Sequence, residues 1–458
     1  MKILQVHKYL YPRDGASTYL FGISELLKQH GHEVEMWGTK ENYEITRLRN
    51  YEYLQIQVLE DLLMEPLNFD RREGFWKDLK KFFHMVWSFE AARKFECVVR
   101  EFKPDVIHIH NIYHHISPAI LPVARRLKIP VVMTVHDYHL VNPNYTLYDH
   151  KKICERQGLR AIAHRCIKNS FAATTADVIE WSVHHFMKVY EKNVERFIVP
   201  TEFVKEKLVE GGMDSARIEV VPLPLVSPTP PNLPSVRGGN ESISPPLGGG
   251  VRGGQAGSYI LFAGRLAEEK GVYVILEIAK HLPDIQFKIA GSGPEFENVK
   301  CKIKNEKLLN VELLGFVEKE KLQSIIEMAR LVIVPSLWYD PSPYAVLEAM
   351  EAGKVVVASM IGGISELVED GKSGFLLGAN YESIANLRIS NSEIRKFEPH
   401  SQFAPQWIDT IQKIYYDESL LKRIGEAARQ YIKEAHDPEK HYERLIEIYR
   451  KISNSSNF

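Results

Sequence analysis

Tyr259-Ile260-Leu261-Phe262-Ala263-Gly264-Arg265-Leu266-Ala267-Glu268-Glu269-Lys270-Gly271 reads as a buried strand that stops at Ala263 and turns sharply. Gly264 lets the backbone pass close to a ligand. Arg265 and Lys270 flank the turn into a helix expected through Val274 to Leu282. Two cations beside a helix N-terminus make an anion site. A surface-charged strand-to-helix loop has the same composition, and these residues alone do not separate the two readings.

The alternation spreads outward from this turn. Strands are expected at Ile285 to Ala290, Val311 to Leu314, Leu331 to Pro335, Val355 to Ser359 and Gly374 to Leu377, with a helix at Ala345 to Ala352. The chain from Gln406 onward is helical and charged. Toward the N-terminus, Lys2 to His7 is a short apolar strand. Gly15 to His30 places Tyr19, Leu20, Ile23, Leu26 and Leu27 at helical spacing. Gly31 ends that helix, and Val34 to Trp37 resumes a strand. Asp105 to His110 and Pro130 to His136 are buried-strand patterns, with a helix between them ending near Lys128. Strands alternating with helices predict an α/β chain of two Rossmann-like, doubly wound parallel sheets. At 458 residues the chain is long enough for two domains. The division falls at 226–257, where Pro and Gly dominate and Val-Arg-Gly-Gly occurs at 236–239 and again at 251–254. Such a stretch buries no core and reads as a flexible linker. The expected units are 1–225, the linker 226–257, 258–415, and amphipathic C-terminal helices over 416–458, whose crossing back onto the N-terminal domain only a family resemblance implies.

Composition narrows the function classes. A net charge of −1, with 26% charged and 45% apolar residues, is that of a globular protein and argues against nucleic acid as the main partner. No run of 18 apolar residues occurs, and Met1 to His7 lacks a signal-peptide pattern. Four scattered cysteines make no disulfide framework. The expected location is the cytoplasm, with attachment to the membrane surface left open.

A second segment carries chemistry. Pro335-Ser336-Leu337-Trp338-Tyr339-Asp340-Pro341-Ser342-Pro343-Tyr344-Ala345-Val346-Leu347-Glu348-Ala349-Met350-Glu351-Ala352-Gly353 puts Asp340 in the loop after a strand and Glu348 in the next helix. Carboxylates at a strand's carboxyl end accept hydrogen bonds from sugar hydroxyls. Asp340 as a turn residue and Glu348 as a solvated one is the plainer alternative. Glu348, however, sits among Val346, Leu347, Ala349 and Met350, where a carboxylate has a specific partner.

Taken together, these segments resemble the retaining glycosyltransferases of family 4, in the GT-B fold, whose two Rossmann-like domains face each other across a cleft. The resemblance rests on Gly264-Arg265, Lys270-Gly271, Asp340 to Glu348 and Ala349-Met350-Glu351-Ala352-Gly353. It extends to Gly291-Ser292-Gly293-Pro294, Gly315-Phe316-Val317, Ile361 to Val368, Asp14-Gly15-Ala16 with Tyr19, Gly31-His32-Glu33-Val34, and Thr134-Val135-His136-Asp137. It covers nearly the whole chain outside the linker.

The resemblance implies specific roles. Arg265 and Lys270 would hold the donor diphosphate and stabilise its growing charge. Gly264, Gly291 and Gly293 would let backbone approach the donor, and Phe316 and Val317 would meet the nucleobase. Glu348 would accept from the ribose. Asp340 would accept from the donor sugar, assisted by backbone amides over Ser342, Pro343 and Tyr344. His136 would face the sugar near the reacting carbon, and Gly15 and Ala16 would line the N-terminal side. Two departures from the family pattern stand out. Asp340 replaces the usual glutamate, and Asp14 replaces a glycine, so its carboxylate is expected to point away from the diphosphate. No Asp-x-Asp pair occurs, so no divalent metal and no cofactor is expected. The implied partners are a UDP-, GDP- or ADP-sugar donor and a glycan or lipid-linked acceptor.

Arg71 to Lys94 mixes cations and aromatics. It reads either as a face lying on the anionic inner leaflet or as an amphipathic helix packed on the N-terminal sheet. His108 and His110 either line the cleft or serve as core histidines. Cys154, His164 and Cys166 suggest a metal site, but the eleven-residue gap between the cysteines is not a standard zinc spacing, and buried thiols are the expectation. Asn142 to Ser170 is a reasonable acceptor-binding element. A sugar-nucleotide 2-epimerase of the same architecture and a non-catalytic sugar-nucleotide-binding scaffold are the competing functions. A dehydrogenase is disfavoured, since no Gly-x-Gly-x-x-Gly follows the first strand.

Overall fold

The structure is a computed structural model that describes residues 1–11, 13–40, 62–67, 74–149, 152–226, 257–378 and 404–455. Nearly all of the linker (227–256) and the start of the basic-aromatic segment (71–73) lie outside the described residues.

Two six-stranded parallel sheets form the frame. The first contains β1 (Lys2–Tyr9), β2 (Glu33–Thr39), β3 (Val106–Ile109), β4 (Val131–Thr134), β7 (Arg196–Val199) and β8 (Ile218–Val220), in the order β2-β1-β3-β4-β7-β8. The short antiparallel hairpin of β5 (Tyr148–Asp149) and β6 (Lys152–Ile153) projects from the connection between β4 and β7. The second sheet contains β9 (Tyr259–Ala263), β10 (Gln286–Ala290), β11 (Val311–Gly315), β12 (Leu331–Val334), β13 (Val355–Ser359) and β14 (Phe375–Leu377), in the order β11-β10-β9-β12-β13-β14. Continuous apolar strands such as Leu331–Val334 and Val355–Ser359 are buried throughout, as a sheet covered on both faces requires. In each sheet the order reverses once, between β1 and β3 and between β9 and β12. Ligands of open parallel sheets bind outside the strand ends at such a switch point.

Local sequence explains the helix ends. Asp14 caps helix Gly15–Gln29, accepting from Ser17 N at 3.0 Å, while Ser17 Oγ accepts from Asp14 N at 2.9 Å. At the other end Gly31 adopts φ 77°, and His32 N returns to Leu27 O at 3.1 Å. Trp37 and Trp407 are fully buried, each worth roughly 1.5–3 kcal/mol or more of burial free energy.

The last helix, Pro438–Ser455, packs against helix Gly15–Gln29 of the N-terminal domain. His441 Nε2 meets Tyr19 Oη at 2.9 Å, and His441 Nδ1 meets Pro222 O at 2.8 Å. Tyr449 Oη meets His108 Nδ1 at 2.6 Å, and Arg444 pairs with Glu219 at 2.8 Å.

Candidate active site

The loops after β9 and β12 meet at the second sheet's switch point. Lys270 Nζ donates to Asp340 Oδ2 at 2.6 Å, and Ser336 Oγ donates to the same oxygen at 3.3 Å. The Trp338 ring lies 4.9 Å from the ammonium. Asp340 is 3% exposed, so the lysine supplies the counter-charge its burial demands. Arg265 is ion-paired with Glu269. The two cations singled out in the sequence therefore sit on carboxylates, and an entering anion would compete with Asp340 and Glu269 for them. The sequence reading assigned Asp340 to sugar hydroxyls; here its partner is Lys270. Glu269 was missed as a partner, although its spacing of four from Arg265 was a usable signal.

The glycines bring the loops this close. A Cβ on Gly271 would lie 1.8 Å from Pro335 O, and one on Gly291 the same distance from Gly264 O. Leu266 N donates to Ser292 O at 2.9 Å and Gly291 N to Gly315 O at 2.7 Å, fastening the ends of β9, β10 and β11 together. Gly293 follows the same logic against Leu266 O. Phe316, just beyond β11, leaves 65% of its surface exposed, while Val317 packs against the core.

Helix Tyr344–Glu351 points its N-terminus at this junction. Pro343 is its N-cap and carries no N–H, which corrects the expectation of amide donors from all three of Ser342, Pro343 and Tyr344. Ser342 Oγ, Trp338 Nε1 and Tyr138 Oη are buried with no hydrogen-bond partner among the described residues. Buried polar atoms are nearly always paired, so these three could accept partners from outside the described residues. One turn along, Glu348 faces Lys319 at 3.7 Å. Burial raises the Glu348 carboxyl and lowers the Lys319 ammonium, each opposed by the other's charge.

The N-terminal domain supplies the facing wall. Gly15 lies against the Tyr344 ring, which a Cβ would meet at 3.5 Å, and Ala16 beside it is buried. Asp14 spends its carboxylate on the helix cap. His136 stands just past β4. With Gln5 Oε1 accepting from His110 Nε2 at 2.9 Å, His110 Nδ1 carries a lone pair. His136 Nε2 then donates to it at 3.1 Å, and the network leaves His136 Nδ1 an acceptor. Burial, then the neighbouring His7, pulls His136 down to about 3, so it acts as a neutral ring. His108 is a fully buried member of the same row, also pulled down to about 3 by burial. The C-terminal domain closes on this side through Glu366, which accepts from Glu202 N at 2.8 Å and Phe203 N at 2.6 Å at the start of helix Glu202–Glu210.

Two features lie off this axis. Glu180, fully buried in helix Phe171–Met187, faces His114 at 3.6 Å, His139 at 3.4 Å and His184 at 3.4 Å. The basic-aromatic segment is two helices, Phe75–Val86 and Phe89–Phe102, divided where Ser88 caps the second. Phe95, Val98 and Val99 enter the core, whereas Phe75, Trp76, Phe83 and Phe89 remain exposed. Among the described residues no helix is long and apolar enough to cross a membrane.

Residues 255–396 match the family model described as glycosyl transferases group 1, and residues 14–224 match that of a glycosyl transferase 4-like domain. An uncharacterized 42.6 kDa protein in the cps region of Klebsiella pneumoniae is 26% identical, over 80% of this chain and 87% of that one. The lipopolysaccharide 1,2-N-acetylglucosaminetransferase of Salmonella typhimurium is 25% identical, over 52% of this chain and 63% of that one. Thus the chain's match spans less than two thirds of that enzyme. The crystal structure of Anabaena HepE with UDP and glucose has the same fold, with TM-score 0.63, 15% identity, and coverage of 98% of this chain and 100% of that one.

Proposed function

This chain belongs to the glycosyl transferases of group 1, a GT-B glycosyltransferase with a 4-like N-terminal domain, and from that premise we propose that it moves a hexose or N-acetylhexosamine from a nucleotide-diphosphate sugar to a glycan or lipid-linked acceptor, with retention at the anomeric carbon. The observation that carries this reading is the convergence of Arg265, Lys270 and the orphaned Ser342 hydroxyl at one switch point, opposite Gly15 and His136. In this proposal the diphosphate takes the two cations from Glu269 and Asp340. Asp340, released, accepts from the donor sugar, and Glu348 accepts from the ribose. Neutral His136 offers a lone pair rather than a charge to the sugar. Negative charge builds on the leaving diphosphate as the glycosidic bond breaks, and fixed cations stabilise it without reorganising. With two cations in place the proposed diphosphate site needs no divalent metal. A role in surface polysaccharide assembly is supported by the names of the Klebsiella and Salmonella relatives.

Thermal denaturation with UDP-, GDP- and ADP-sugars tests the donor site. A ligand at about 100 times its Kd stabilises the native state by about 2.7 kcal/mol. One nucleotide class should raise the midpoint, regardless of added magnesium or manganese, and Arg265→Ala should abolish the rise. No shift with any nucleotide sugar would sink the assignment. The anomeric configuration of the product, read by NMR, is expected to match that of the donor; an inverted linkage would refute the retaining part alone.

A further inference from the structure

Between β4 and helix Phe171–Met187 the chain gathers four metal-binding side chains that no step above uses. Asp149 ends β5, Cys154 follows β6, and His164 closes helix Gly158–His164. Arg165 then adopts φ 57°, and this left-handed residue turns the chain so that His164 and Cys166 face the same point. The ligand atoms of Asp149, Cys154, His164 and Cys166 all lie within 4.8 Å of one another. Cys154 Sγ and Cys166 Sγ are 3.5 Å apart, Cys166 Sγ and His164 Nδ1 3.5 Å, and His164 Nδ1 and Asp149 Oδ2 2.8 Å.

We propose that these four residues form a structural zinc site. Zinc bonds of about 2.3 Å to sulfur and about 2.0 Å to nitrogen place tetrahedral ligands about 3.8 Å apart for S to S and about 3.5 Å for S to N. The observed separations are close to both. Two thiolates with one imidazole and one carboxylate select zinc over magnesium or calcium, which take oxygen ligands. Binding displaces the thiol protons and the proton shared by His164 and Asp149. Arg156 Nη1, 3.4 Å from Cys154 Sγ, offsets part of the negative charge this leaves.

The site also meets a structural need. Among the described residues the apolar cluster here is Cys154, Ala161, Cys166 and Val178, with Ile162 against it, which is little to hold a hairpin and a helix together. A four-ligand metal staple supplies the missing cross-link. It would fix the β5–β6 hairpin, whose Tyr148 belongs to the apolar cluster of the C-terminal domain. The eleven-residue gap between the cysteines hid the site from the sequence, because the hairpin and the left-handed turn, rather than a knuckle, bring the ligands together.

Elemental analysis of the full chain, purified under reducing conditions after expression with added zinc, tests this without donor or acceptor. The expected content includes about one zinc per chain that is lost in Cys154→Ser/Cys166→Ser and retained in Arg265→Ala. Should the double variant fail to fold, cobalt(II) replacement in the unaltered chain decides the matter. Thiolate charge-transfer bands with intense tetrahedral visible bands support the site; weak octahedral bands alone overturn it. Absence of zinc, with either two free thiols or a mass two hydrogens lower from a Cys154–Cys166 disulfide, overturns it as well.

Discussion

Lys270→Ala is expected to lower kcat by about 10²–10³-fold, equivalent to about 2.7–4 kcal/mol of transition-state stabilisation, with a smaller change in KM. The asymmetry follows from where charge develops. In the proposed reaction the ground-state diphosphate is already anionic, whereas the charge gained as the sugar departs falls on the leaving oxygens. The variant also strands Asp340, whose side chain is 4% exposed, without the ammonium 2.6 Å away. A buried carboxylate deprived of its partner destabilises by itself. Lys270→Ala/Asp340→Asn isolates the stability effect only, since Asp340 is itself proposed to accept from the donor sugar. The second substitution should recover thermal stability and leave turnover low. A Lys270→Ala enzyme that keeps kcat within about threefold would remove this lysine from the proposed reaction.

Glu180→Ala should be strongly destabilising, by up to about 3–5 kcal/mol at the pH where His114 is protonated, since it removes the carboxylate that raises this buried ring. That is a large share of the roughly 5–15 kcal/mol by which domains are stable. Burial alone would push the Glu180 carboxyl up, but His139 and His114 outweigh it and hold the group below the usual carboxylate range. Burial likewise pulls on His114, and Glu180 overcomes it and raises the ring. A depressed carboxyl contributes stability above its unfolded value near 4.5, lost as pH falls through the folded value. A raised histidine contributes stability that is complete below its unfolded value near 6.5 and fades as pH rises through the folded one. Both contributions coexist between these values. The gap in urea midpoint between the unaltered chain and Glu180→Gln should therefore be widest near pH 5 to 6 and narrow on either side. A gap independent of pH would mean that the cluster is held by packing rather than charge.

Strand and helix periodicity made the frame legible. Tyr259–Ala263 and Val355–Ser359 run to the residues expected, because buried parallel strands are unbroken apolar runs with polar or glycine ends. The helix end at Gly31 was legible too, whereas Asp14 was expected only to turn its carboxylate from the diphosphate, and its role as the cap came from the structure. Pairings across long separations were not legible. Lys270 with Asp340 and Glu348 with Lys319 depend on which strands become neighbours, and a one-dimensional pattern does not encode strand order. The histidines at 114, 139 and 184 gave no periodic signal either, since three elements bring them to one carboxylate. Only Glu180 and His184, four apart on one helix, could have hinted at it.

Helix Pro438–Ser455 has a consequence for recombining such enzymes. Although it follows the C-terminal domain in sequence, its Tyr449 and His441 complete the histidine row behind His136 through His108 and Tyr19. The inheritance unit of the N-terminal wall is therefore discontinuous, comprising the N-terminal domain and helix Pro438–Ser455 beyond the C-terminal one. A hybrid that borrows another protein's nucleotide-binding half to change the donor must graft it as an insert, keeping the native tail with the native beginning. A simple head-to-tail fusion would pair Tyr19 and His108 with a foreign helix and disturb the row behind His136, the imidazole proposed to face the sugar.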